Sequence, residues 1–362
     1  MSFKSIFIGI GVALFILLIL LPFVLRSRTS QSVRRSAAAD VGIFKSSDGG
    51  DNWAAKTEVS EAGGRFPVTI LSMVFHPDNT QVIYIGTKGE GLWVSDNGGD
   101  SWLRVVDIKG ILKSDAEIYS IAVSRTHPAT FYLAVFQDKL GRVIKSEDGG
   151  RSFSEVYKVS ADRFGVFGVA IDPFASNRAY IATGQGGFFE SSDAGKSWRV
   201  QKWFPDGIVR LVANPSNGAE YYVVSTHGEM FRTDDRGLSW VRLTEGYRSF
   251  KNAYKMTDLT LDPLNPAIVY MASPYGLLRS QNSGKTWSAV PLTIPPGGAT
   301  VATVTVSPQN SSQILAGVGS RIHKSIDGGE TWQEIQLPTS GNITMLRVLS
   351  GGAGEIYAVS SK

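Results

Sequence analysis

One nine-residue pattern occurs seven times along this chain, and no other feature restricts the fold as tightly. It reads KSSDGGDNW ending at Trp53, VSDNGGDSW at Trp102, KSEDGGRSF at Phe153, ESSDAGKSW at Trp198, RTDDRGLSW at Trp240, RSQNSGKTW at Trp287 and KSIDGGETW at Trp332. Successive closing aromatics lie 49, 51, 45, 42, 47 and 45 residues apart. Between copies runs a second repeat: an apolar segment, a turn usually marked by proline, and another apolar segment, as in GVAIDPFASNRAYIATG and LTLDPLNPAIVYMAS. These runs are short, rich in Val, Ile and Tyr, and bounded by Pro, Asn, Asp and Gly, which is the pattern of strands joined by tight turns. Each period therefore holds four strands, a to d in chain order, with the nine-residue element as the turn from c to d.

A four-stranded unit repeated every ~40–50 residues predicts a β-propeller. The ends of the repeat region agree. It opens at Val41 with a c–d pair and finishes with NITMLRVLSGGAGEIYAVSS, an a–b pair. The two fragments complete one blade, which predicts an all-β, seven-bladed ring over residues 41–362, closed by pairing strands from the two termini. Closure of this kind leaves no long unpaired sheet edge.

The nine-residue element has a structural chemistry of its own. Ser or Thr at its second position and Asp or Asn at its fourth hydrogen-bond nearby backbone amides in turns. Glycine two positions later permits a positive φ, and the closing aromatic buries a large apolar area between sheets. The structural set is Asp48 and Trp53, Asn97 and Trp102, Asp148 and Phe153, Asp193 and Trp198, Asp235 and Trp240, Asn282 and Trp287, and Asp327 and Trp332. Seven near-identical turns around a ring cannot converge on one reaction centre. The replacement of carboxylate by amide at Asn97 and Asn282 suits a turn and not a set of acids.

Residues 1–40 differ from the rest. Residues 6–25, IFIGIGVALFILLILLPFVL, carry no charge, and a helix of that length spans the ~30 Å hydrocarbon core of a bilayer. The expectation is one N-terminal transmembrane anchor, longer than the ~7–15-residue apolar core of a cleaved signal peptide. Lys4, Arg26, Arg28, Arg34 and Arg35 also lie here, and without them 31 basic residues face 32 acidic ones. The body has no cationic excess with which to displace counterions, so nucleic acid is excluded as a partner. Absent cysteine excludes disulfides and thiolate metal sites. His76, His127, His227 and His323 fall in different blades without ligand spacing, and no cofactor motif is present.

The repeated residues match Ser-x-Asp-x-Gly-x-Thr/Ser-Trp, the Asp-box or BNR repeat. Over residues 41–362 the chain resembles the propellers of sialidases, sortilin-like receptors, xyloglucanases and photosystem II assembly factors. A single seven-bladed ring makes it most similar to the photosystem II assembly and stability factor type. That resemblance implies a non-catalytic scaffold for a protein partner, including a membrane protein, in the assembly or stability of a membrane complex. It also implies a body outside the cytoplasm. The four arginines after the apolar span point the other way by the positive-inside rule; the extracytoplasmic placement is the one adopted. The sialidase resemblance weakens at the Arg-Ile-Pro element, which is missing before the first box. Xyloglucanases build a cleft between two propellers, and sortilin-like receptors carry a cysteine-rich module, which this chain lacks.

Two places are candidates for function. The a–b and c–d turns share one face of the ring, where the boxes occupy their own side chains. The b–c and d–a connections share the other, which is freer to bind. On it, TEGYRSFKNAYKM offers Tyr247, Arg248, Phe250, Lys251, Tyr254 and Lys255, and the preceding connection KWFPDG adds Trp203 and Phe204. Exposed aromatics beside cations are typical protein-binding anchors. The second place is the axis. Alignment of inner strands puts Arg210 and Asp258 in register in adjacent blades, as a channel ion pair. The alternative function is a carbohydrate-binding or glycoside-hydrolysing propeller with a glycan partner. It needs two facing carboxylates ~5–9.5 Å apart, and Glu117 and Asp258 are its candidates.

Overall fold

A computed structural model describes residues 41–60, 64, 66, 67, 69–349 and 354–362. The expected anchor at residues 6–25 lies outside the described residues. No helix among the described residues is long and apolar enough to cross a membrane.

Seven four-stranded antiparallel sheets make up the body, which forms one compact unit, Ala39–Lys362. Blades 1 to 6 take residues 70–104, 117–158, 166–203, 208–242, 258–290 and 303–336, each in simple a-b-c-d order. Blade 7 joins the chain ends. Its a and b strands are Asn342–Val348 and Ile356–Ser361, and its c and d strands are Gly42–Ser46 and Ala54–Ala55. Five residues of the N-terminal strand, Gly42 to Ser46, pair with Ser360 back to Ile356. The ring is closed by backbone hydrogen bonds between segments some three hundred residues apart.

Burial follows strand position. The b strands Ile83–Thr87, Tyr221–Ser225, Val269–Ser273 and Ile314–Val318 are buried along their whole length. A blade packed on both faces by its neighbours requires continuous apolar runs there, as in any doubly covered sheet. The d strands Leu103–Arg104 and Val241–Arg242 are exposed. The apolar core divides into seven clusters, each drawn from two adjacent blades. Stability therefore resides in the wedges between blades.

The a strands line that axis. In blades 1, 2, 3, 4 and 7 each is bulged near its start, between Ile70 and Ser72, Ile118 and Ser120, Val166 and Gly168, Ile208 and Arg210, and Ile343 and Met345. A bulge inserts one unpaired residue and re-aims the side chains that follow. Polar side chains beyond it then stitch one blade to the next. Ser72 Oγ donates to Ile118 O at 3.1 Å, Ser120 Oγ to Val169 O at 3.4 Å, and Arg210 to Thr257 O at 2.5 Å.

Candidate functional site

The boxes form one hydrogen-bonded unit repeated seven times. In the first, Ser46 Oγ donates to Asp48 Oδ1 at 2.7 Å and accepts from Gly50 N at 2.8 Å. Asp48 Oδ1 accepts from Asn52 N at 2.9 Å, and Trp53 Nε1 donates to Gly50 O at 2.9 Å. The Ser or Thr contact to the glycine amide recurs at 2.8–2.9 Å in the other six boxes. The two asparagines keep the acceptor function. Asn97 Oδ1 accepts from Ser101 N and Asn282 Oδ1 from Thr286 N, both at 2.9 Å, while their amides donate to the neighbouring hydroxyls. The carboxylates are held ionised. Hydroxyl and backbone donors from Ser197 and Ser239 lower Asp193 and Asp235 to about 2, and similar donors hold Asp48, Asp148 and Asp327 lower still. The closing aromatics enter the inter-blade wedges: Trp102, Phe153 and Trp287 are buried, and Trp53, Trp198, Trp240 and Trp332 are half-buried. The Ser or Thr hydroxyl and the Asp or Asn side chain of each box are thus occupied by the turn itself, while Trp102 and Trp198 donate their indole N–H to Lys56 O and Val156 O outside it.

The opposite face is built differently. After the d strand of blade 4 the chain makes a single 3-10 turn, Thr244–Tyr247, then a string of turns to Lys255. Tyr247 is buried and donates its hydroxyl to Gly228 O at 2.7 Å, with its ring edge-on to Trp287. Phe204 is likewise buried, packed on Phe231 and Trp240. These two side chains belong to the core and are not exposed contacts on the loop surface. Apolar rings alone do not distinguish a loop's anchor from its contact surface, which is why both were legible as candidates. Trp203 closes the d strand of blade 3 instead of lying in the connection; it is 53% exposed and rests edge-on against Phe189. Tyr254 is 48% exposed with the Lys255 ammonium over its ring. Arg248, Lys251 and Lys255 are exposed, and Phe250 is half-buried against Tyr275 with ring centroids 5.1 Å apart.

Of these side chains, Tyr247, Arg248, Phe250 and Tyr254 border a cavity of about 380 Å³, together with Asp206, His227, Glu229 and Arg242. Asp206 Oδ1 lies 3.1 Å from His227 Nδ1, and Arg242 pairs with Glu229. A neighbouring cavity of about 660 Å³ continues past Lys251 and Tyr275 to residues 296–300. Sequence reasoning missed Asp206, His227, Glu229 and Tyr275. The available signal was positional: His227 and Tyr275 both fall in b–c turns, which this face collects. Gly228 seats the loop. Its φ is +76° and a Cβ there would stand 1.8 Å from Tyr254 O.

On the axis, a cavity of about 380 Å³ is bordered by the a strands, with Tyr119, Ser120, Arg210, Asp258 and Arg347 among its polar side chains. Arg210 and Asp258 meet across blades 4 and 5 at 2.8 Å. Asp258 Oδ2 also accepts from Thr303 Oγ1 at 2.8 Å and Val304 N at 3.2 Å. Glu117 accepts a hydrogen bond from the Tyr119 hydroxyl at 2.5 Å. Tyr119 itself packs edge-on against Phe167, 4.9 Å between centroids, and burial followed by Glu117 pushes its phenol well up.

A family model described as photosynthesis system II assembly factor YCF48 matches residues 209–362. Among curated proteins, a xyloglucanase of a Paenibacillus species is 27% identical over 248 residues, covering 65% of this chain and 22% of its own length. Sortilin of Danio rerio is 27% identical over 241 residues, 63% of this chain and 28% of the receptor. The chain thus spans about a quarter of the curated relatives it matches. Among solved structures, a GH74 xyloglucanase from Xanthomonas campestris superposes with a TM-score of 0.65 at 16% identity, over 82% of this chain and 51% of that one. YCF48 bound to D1 peptide superposes with a TM-score of 0.63 at 18% identity, over 82% and 93%. The chain carries seven Asp-box, or BNR, repeats on a seven-bladed propeller and is similar to these proteins in that fold.

For this Asp-box propeller the expectation of a non-enzyme needs correction. Several of its relatives are xyloglucanases, and solved GH74 enzymes share its fold, so glycoside hydrolysis stands as a candidate activity. That expectation rested on the single ring and the missing sialidase element, neither of which bears on an activity housed in part of a larger relative.

Proposed function

We propose that this Asp-box propeller is a scaffold of the photosystem II assembly-factor type that captures a segment of a protein partner on the face opposite the boxes. The observation that carries the reading is the cavity of about 380 Å³ beneath Tyr254, Phe250 and Arg248. Exposed aromatics and arginine around a preformed hollow are the usual composition of an interface centre. The likeness to YCF48 bound to D1 peptide supports a protein segment as the occupant. We include in the proposal a membrane anchor at residues 6–25, with the propeller outside the cytoplasm. That placement fits a membrane protein as partner.

Pull-down from native membranes tests the reading. Tyr254→Ala and Trp203→Ala should each release the captured partner at least tenfold while the propeller stays folded, and a partner retained by both variants overturns it. A topology reporter fused at Lys362 that is active only in the cytoplasm overturns the orientation.

The similarity to xyloglucanases supports a second reading, hydrolysis of a β-glycan at the axis. Glu117 and Asp258 would supply its two carboxylates. Turnover of xyloglucan oligosaccharides abolished by Glu117→Gln or Asp258→Asn is the result expected of it, and turnover unaffected by both rejects those residues.

A further inference from the structure

The two arginines on the axis are used differently. Arg210 is engaged on two sides, by Asp258 at 2.8 Å and Thr257 O at 2.5 Å. Arg347, on the a strand of blade 7, donates to Leu346 O of its own strand at 2.8 Å, and no carboxylate lies within ion-pair distance of it among the described residues. It nevertheless borders the axial cavity. Burial lowers its pKa below the ordinary arginine value; Asp258 acts to raise it and Arg210 to lower it, so both lie within electrostatic reach. A guanidinium does not give up its proton in a protein. It therefore remains a half-buried cation, and a charge partly withdrawn from water is stabilised by a counter-charge or by several hydrogen bonds.

The charges bordering the cavity sum to one positive: Arg210 and Arg347 against Asp258. A planar guanidinium fork matches a carboxylate better than a spherical ion. The wall also carries Ser72, Ser120 and Thr344, whose hydroxyl protons go to Ile118 O, Val169 O and Val359 O, so Arg347 is the donor left for a bound carboxylate. A volume of about 380 Å³ admits a small organic acid with a few waters. We propose that the axial cavity of this propeller is a binding site for a small monocarboxylate, held by Arg347 and limited to a single charge by Asp258. The site is independent of the partner surface on the blade 4 and 5 loops.

The test uses the full chain and sodium acetate. As acetate replaces chloride at constant ionic strength, the thermal unfolding midpoint should rise along a single-site saturation curve, and calorimetry should give one site per chain. Arg347→Met should remove the response. Arg347→Lys, which keeps the charge and loses the fork, should weaken binding about tenfold. Asp258→Asn should tighten it several-fold by removing the competing negative charge. A midpoint indifferent to acetate in the unaltered chain overturns the proposal, as does an undiminished response in Arg347→Met. Should Arg347→Met fail to fold, acetate affinity unchanged or weakened in Asp258→Asn overturns it instead.

Discussion

The two faces of the ring use the same kinds of residue for opposite purposes. On the box face, a Ser or Thr, an Asp or Asn, a Gly and a closing aromatic recur seven times with nearly the same distances, and the hydroxyl and the Asp or Asn side chain are satisfied within their own nine-residue turn. On the opposite face the connections differ in length and content, and one of them, between blades 4 and 5, holds aromatics in two states. Tyr247 is buried as an anchor, and Tyr254 is left at the surface. The contrast teaches that repetition in a propeller marks scaffolding, and that departure from the repeat marks the surface free to specialise.

The largest test of that contrast sets one tryptophan from each face side by side. Trp102→Ala should cost about 3–5 kcal/mol in urea unfolding, the usual loss for a fully buried large aromatic. Trp203→Ala should stay within about 0.5 kcal/mol, since half of its ring is already in water. Equal losses would break the distinction between scaffold and surface. Gly228→Ala sharpens it from the other side, because this glycine lies on the loop face yet serves as scaffold. The forced contact with Tyr254 O should cost about 2–3 kcal/mol, and an unchanged midpoint would show that the 244–256 loop is not seated there.

Smaller effects belong to the box turns themselves. Three boxes place a non-glycine residue in the left-handed region one step after the Asp or Asn: Ala194 at φ 61°, Arg236 at 65° and Ser283 at 58°. Glycine stands there in the other four. Ala194→Gly should stabilise by about 1 kcal/mol through relief of that strain, and a destabilised variant would mean the turn is not under strain. The last test is acid. Asp193 and Asp235 titrate near 2 in the folded chain, against an ordinary value of 3.8. The unfolded state then binds more protons between those limits, so their stabilising contribution is complete above pH ~4 and is lost as pH falls through about 2. The double variant Asp193→Asn, Asp235→Asn should fold, as Asn97 and Asn282 do in their own boxes, and should lose less stability than the unaltered chain between pH 4 and 2. Identical acid profiles would remove the carboxylates from the account.

Part of the site was beyond reach of pattern. Trp203, Tyr254 and the three exposed cations could be picked out because the connection carrying most of them is long and breaks the repeat. Phe204 and Tyr247 could not be separated from them. Their burial depends on Trp240 and Trp287, which come from box turns distant in sequence. Asp206, His227 and Tyr275 enter the same surface only because the ring gathers d–a and b–c connections at one end.

Blade number, strand order and the meeting of the two chain ends were determined by sequence alone. The Ser-to-Asp and Ser-to-glycine hydrogen bonds that define the box lie within nine residues, and its count and phase do not depend on distant contacts. Which aromatics are core, and which arginine on the axis is left without a carboxylate, was decided only by the tertiary structure. Burial and ion pairing are set by neighbours that the chain reaches through a bulged inner strand or across a wedge between blades, at separations no local pattern records.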